Sequence, residues 1–141
     1  MSQNIPKAIR LKISLLAGLK CEYCFMPEYL SQYNFHIDHI ISQKHGGLTK
    51  LMNLAYCCPH CNFNKGSDIA TLDKVNPEKL IRFYSPRKDI WNEHFEFFEG
   101  QILGISPIGE ATESILKFNE INRLILRKQL IDLEIYPLKQ T

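Results

Sequence analysis

Two groups of residues in this chain are spaced for chemistry. The first are cysteines. "CEYC" is Cys21-x-x-Cys24 and "CPHC" is Cys58-x-x-Cys61. Each knuckle can direct two thiolates at one ion, and two knuckles complete the tetrahedral four-sulfur set of a structural zinc site. Cys57 offers a rival C-x3-C frame with Cys61. Neighbours on a strand face opposite ways, so Cys57 and Cys58 do not both reach one ion. The x2 spacing favours Cys58 and leaves Cys57 as a small core residue. His60, inside the second knuckle, is a spare ligand that four cysteines do not need. The second group is "FHIDHI", residues 35–40, where His36, Asp38 and His39 interrupt an apolar run. They fit a metal site, a catalytic centre, or polar positions on a half-buried strand. On a strand His36 and Asp38 share a face and His39 takes the other. All three meet at one site only if the chain bends after Asp38.

The elements that must position these residues follow from pattern. A helix is expected over 6–18, with Pro6 in its first turn, Ile9, Ile13 and Leu16 on one face, and Gly18 as its stop. A strand is expected over 34–41, a loop at Gly46-Gly47, and a short strand over 54–57. The chain then turns helical from Cys61 to about Asp68. "HFEFFEGQILGI", residues 94–105, reads as a hairpin turning at Glu99-Gly100. Helices follow over 107–118, capped by Ser106, and over 120–135, capped by Asn119. Ile121, Leu124, Ile125, Leu130 and Ile131 form a core stripe on the last helix. Trp91 with Phe95, Phe97 and Phe98 reads as core, and Arg87, Lys88 and His94 as solvated surface. The expected organisation is one α+β domain over 1–141, with the polar chemistry in 21–67 and a hairpin-and-helix extension over 72–141.

Composition narrows the class. The chain has 141 residues, 45% hydrophobic and 23% charged, with a formal net charge of +2. That length buries a core without cross-links. The weak positive charge is compatible with nucleic acid but does not argue for it alone. Basic bias is local: Lys7, Arg10, Lys12 and Lys20 stand against Glu22 within the first 24 residues. No run approaches the ~18 apolar residues of a membrane span. "ISLLAGL" lacks the cleavage site of a signal peptide and reads as helix instead. Five cysteines then point to metal or catalysis in a reducing compartment, the cytoplasm.

The order D-H, G-G, N-L, C-x-x-C-N-x-x-K-G, carried by "IDHI", "HGG" and "MNLAYCCPHCNFNKG", resembles the HNH endonucleases. The resemblance covers about a third of the chain. "SPRKDIWNEHF" and "GISPIGEAT" are similar to a tail found on some small bacterial members. The resemblance implies a ββα-metal core stapled by the four-cysteine zinc. It implies Asp38 and His39 at the end of the first strand and Asn62 at the start of the helix. Asp38 and Asn62 then hold Mg²⁺ or Mn²⁺, a hard cation that takes few protein ligands beside phosphate. His39 is the general base for water, and Asn53 ties the loop back to orient it. Other members carry His where this chain has Asn62; an oxygen ligand favours Mg²⁺ or Mn²⁺ over softer metals. Lys65 shares a helix face with Asn62 and is placed to meet a phosphate. Lys44 and His45 either do the same or sit in a solvated loop. His36 either orients Asp38 or is satisfied by a backbone partner. The implied activity is hydrolysis of DNA phosphodiester bonds. A non-catalytic zinc module binding nucleic acid, an RNA-cleaving enzyme and a thiol enzyme built on Cys57 are the alternatives.

Overall fold

The computed structural model describes residues 5–137. Helix α1, Lys7–Leu16, begins at Pro6, which takes the N-cap position, and ends before Gly18 in the left-handed region at φ 69°. Its buried face differs from the expected one. Ile9 and Ile13 pack inward with Ala17, each four residues from the next, while Leu16 is 62% exposed. A ridge spaced by fours holds its contact with the core, and the i+3 position rotates away.

Strands β1, His36–His39, and β2, Leu54–Cys57, pair antiparallel in the register His36↔Cys57 to His39↔Leu54. β1 is shorter than the expected 34–41, because the chain beyond it is taken over by Asn53 rather than by a ladder. All four β2 residues are buried, and α1 packs against them. Cys58 then caps helix α2, Pro59–Lys65, which starts two residues before the expected Cys61 because Pro59 suits the first turn. α2 lies on β1.

The remaining chain folds around this centre. Strands β3, Ala70–Leu72, and β4, Leu80–Arg82, form a hairpin that pattern reading passes over. A short helix α3, Trp91–His94, leads into β5, Phe95–Phe98, and β6, Gln101–Gly104. These pair Phe98↔Gln101 around Glu99-Gly100, both at positive φ, as a two-residue hairpin turn requires. Helix α4, Pro107–Leu116, is capped by Ser106, whose hydroxyl accepts from the Gly109 amide.

Helix α5, Ile121–Asp132, corrects two expectations. Its cap is Glu120, not Asn119; the Asn119 amide instead bonds both N and O of Ile102, lining the edge of β6. Its buried face is Arg123, Arg127 and Leu130, whereas Ile121 and Ile125 are exposed. The arginines are stabilised by carbonyls: Arg127 donates to Gly100 O and Phe118 O. The main core runs from Ile13 through Tyr23, Phe35, Leu54, Trp91, Phe95, Phe118 and Leu130 to Tyr136. Phe25 stacks on Trp91 with ring centroids 4.4 Å apart. Phe98, expected in that cluster, is exposed. Among the described residues, no helix is long and apolar enough to cross a membrane.

Candidate metal centre and polar cluster

The two knuckles converge. The Sγ atoms of Cys21, Cys24, Cys58 and Cys61 all lie within 4.8 Å of one another, and all four residues are buried. Cys24 Sγ is 3.7 Å from Cys58 Sγ. Four thiolates about 2.3 Å from one zinc sit about 3.8 Å apart, so the spacing fits. The knuckles are built alike: the Cys24 amide points at Cys21 Sγ and the Cys61 amide at Cys58 Sγ, each at 3.4 Å. Burial pushes the Cys21 and Cys61 thiols well up, while hydrogen bonds from the neighbouring sulfurs push Cys24 down. A dication would hold all four as thiolates. Cys57 lies outside the set, buried, its Sγ 3.9 Å from Asn62 Oδ1. His60 is exposed beside it.

Asp38 sits on β1 with 5% of its surface exposed. Its Oδ2 accepts from Tyr23 OH at 2.7 Å and its Oδ1 from Lys65 Nζ at 3.1 Å. Burial raises the carboxyl's pKa; Lys65, then the Tyr23 hydrogen bond, hold it back. His39 is half-buried, with Nε2 2.9 Å from Thr49 Oγ1. Burial lowers its pKa; Asp38 opposes this and Lys65 reinforces it, so the shift favours the neutral ring.

Asn53 clasps the loop that follows β1. Its Oδ1 accepts from Ile41 N at 2.8 Å, and its Nδ2 donates to Ile41 O and Leu48 O at 2.9 Å. Gly47 is required there: a Cβ would lie 1.6 Å from Ile41 O and 2.8 Å from Asn53 Nδ2. The pair Gly46-Gly47 therefore does two jobs, a left-handed turn at φ 89° and a close backbone approach.

Lys65 and His36 sit differently from their sequence reading. Lys65, read as a phosphate ligand, is 1% exposed, and its ammonium faces Asp38 and His39 O. A lysine on that face reaches inward because a buried carboxylate awaits it. His36 is exposed at the start of β1, and the role of holding Asp38 falls to Tyr23. Lys44 and His45 stand exposed on a short 3-10 turn. Asn62 is half-buried in the first turn of α2. Tyr23 was legible only as the middle of "CEYC", where nothing marks it as a partner for a carboxylate far along the chain.

Comparison with known proteins bears on this stretch. The HNH endonuclease family model matches residues 21–68, from the first knuckle cysteine to just past α2. The resemblance read from the sequence holds over that segment, and the four-cysteine cluster fits its zinc site. No curated protein and no solved structure matches the chain.

Proposed function

We propose that the HNH segment at 21–68 is a ββα-metal nuclease site that hydrolyses nucleic-acid phosphodiester bonds, with DNA the favoured substrate. The family acts on nucleic acid, which supports the substrate class. Zinc on the four cysteines is structural. Asp38 and Asn62 would hold the catalytic Mg²⁺ or Mn²⁺: both offer hard oxygen donors, and each Asp38 oxygen keeps a lone pair beyond its present hydrogen bond. When bound, that cation supplies charge stabilisation at the scissile phosphate.

One observation carries the reading. A buried carboxylate and a half-buried imidazole, whose pKa burial lowers, adjoin at the end of β1, under a loop clasped by Asn53. The side chains then divide the work. Lys65 sets a counter-charge against Asp38 inside the fold. In the His39 tautomer whose Nε2–H donates to Thr49 Oγ1, Nδ1 is the nitrogen that takes the proton from the attacking water. Asn53 fixes the loop carrying Thr49, and so the ring; misplacement by ~1 Å can cost ~100-fold in rate. Five cysteines outside any disulfide, four of them set for zinc, fit work in the cytoplasm.

A second reading draws on the Lys65 ammonium, which already meets the charge of Asp38: a zinc-stabilised module that binds nucleic acid without cutting it. Supercoiled plasmid, linear duplex, single-stranded DNA and RNA, each with and without Mg²⁺, separate the possibilities. His39→Ala should keep its fold and zinc and lose Mg²⁺-dependent nicking. Undiminished plasmid cleavage by that variant would refute the assignment. Binding without cleavage by the wild-type chain would favour the second reading, and cleavage confined to RNA would move the substrate.

A further inference from the structure

The C-terminal chain grips the zinc knuckles residue by residue. Arg87 forms a two-pronged ion pair with Glu22, both contacts at 2.7 Å. Trp91 Nε1 donates to Tyr23 O at 2.9 Å, and Tyr136 OH donates to Cys24 O at 2.6 Å. The last two hold the peptide of the first knuckle, and the ion pair holds its Glu22 side chain. Arg123 does something different: its NH2 lies 3.1 Å from Cys61 Sγ itself.

Arg123 is buried on α5, and its other nitrogen donates to Leu116 O at 2.6 Å and Lys117 O at 3.2 Å, the C-terminal end of α4. The guanidinium therefore bridges a helix terminus and a sulfur. Four thiolates on a divalent zinc carry a net charge of −2. Buried charge of that size requires a counter-charge. The two amide contacts to sulfur supply only dipoles; Arg123 supplies a full positive charge. α5 also docks through Leu130 and Arg127, and Arg123 is the residue that ties that docked helix to the sulfur set.

We propose that Arg123 is the outer partner of the zinc thiolates, and that its bond to Cys61 makes metal retention and docking of α5 one linked equilibrium. The inference rests on the four-cysteine zinc reading above. Linkage is reciprocal: whatever the docked helix does for the metal, the metal does for the helix. Outer-sphere partners of metal ligands typically hold about 10- to 100-fold in affinity.

The test uses the full chain loaded with zinc, or with cobalt as a spectroscopic substitute. In Arg123→Met, zinc transfer to a chromogenic chelator should be about 10- to 100-fold faster. The thiolate-to-cobalt charge-transfer band should move to lower energy, because an N–H bond to sulfur stabilises the donor lone pair. Amide exchange over 121–132 should depend on metal less than in the wild type. Arg123→Lys keeps the charge but loses the fork that serves carbonyl and sulfur together. It should fall between the two, and it carries the test if the methionine variant does not fold. Wild-type release rates with an unmoved cobalt band would overturn the role of Arg123 alone. A wild-type chain that binds neither zinc nor cobalt would overturn the zinc reading and this inference together.

Discussion

Replacing Lys65 by methionine probes the polar cluster most directly. The ammonium is 3.1 Å from Asp38 Oδ1, and the two side chains are 1% and 5% exposed. Methionine fills similar volume and leaves the carboxylate buried without its counter-charge. Removing one member of a buried pair costs about 3–5 kcal/mol. With a urea slope of about 2 kcal/mol per M, the unfolding midpoint should fall by about 1.5–2.5 M. Zinc is kept saturating throughout, so that metal loss does not enter the readout. Asp38→Asn combined with Lys65→Met removes both charges and should recover most of the loss. If a divalent cation binds Asp38, it replaces the missing charge: at a hundred times its Kd it contributes about 2.7 kcal/mol. Mg²⁺ should then raise the midpoint of Lys65→Met more than that of the wild type. A fall of less than about 0.5 M, or a double variant no more stable than the single one, would refute the buried-pair argument.

Three other perturbations follow from the same geometry. Tyr23→Phe removes the donor to Asp38 Oδ2 and should cost about 1–3 kcal/mol, read from thermal melts of the zinc-loaded chain. Gly47→Ala forces a Cβ into Ile41 O and should cost about 3 kcal/mol, with exchange of the Ile41 amide accelerating as the Asn53 clasp opens. Asp89 pairs with Arg82 at 2.7 and 2.8 Å, and those hydrogen bonds hold its carboxyl below the usual range despite partial burial. A depressed folded pKa means stability that is present above the unfolded value of about 3.9 and lost as pH falls through the folded value. Urea midpoints of the wild type and Asp89→Asn should therefore differ at pH 7 and converge in acid; parallel curves from pH 7 to 3 would contradict this.

The sequence was readable where local chemistry and spacing coincide. Two C-x-x-C knuckles announce a four-sulfur set whatever lies between them, and Glu99-Gly100 announces its hairpin because few residues accept positive φ twice in succession. It was unreadable where a polar side chain is satisfied by a distant partner. Periodicity counts apolar residues, so it turns Ile121 and Ile125 of α5 toward the core. The structure buries Arg123 and Arg127 instead, because carbonyls and a cysteine sulfur await them. Lys65 and Asn119 mislead for the same reason: local position alone makes them a phosphate ligand and a helix cap. Each is committed to a group elsewhere, Asp38 for one and the Ile102 backbone for the other. Tyr23 is the mirror case, an aromatic that looks like core and is core, but whose hydroxyl reaches a carboxylate fifteen residues on.

The grip of Arg87, Trp91 and Tyr136 on three consecutive residues of the first knuckle bears on portability. A recombinant fragment cut after Asp68, or a graft of that stretch into a foreign host, would carry every ligand and omit the hands that hold them. Tyr23 would lose the indole bond to its carbonyl while its hydroxyl still leaned on Asp38. The borders of a recognisable signature and the borders of what can be transplanted are different lines, and here the second lies well downstream of the first.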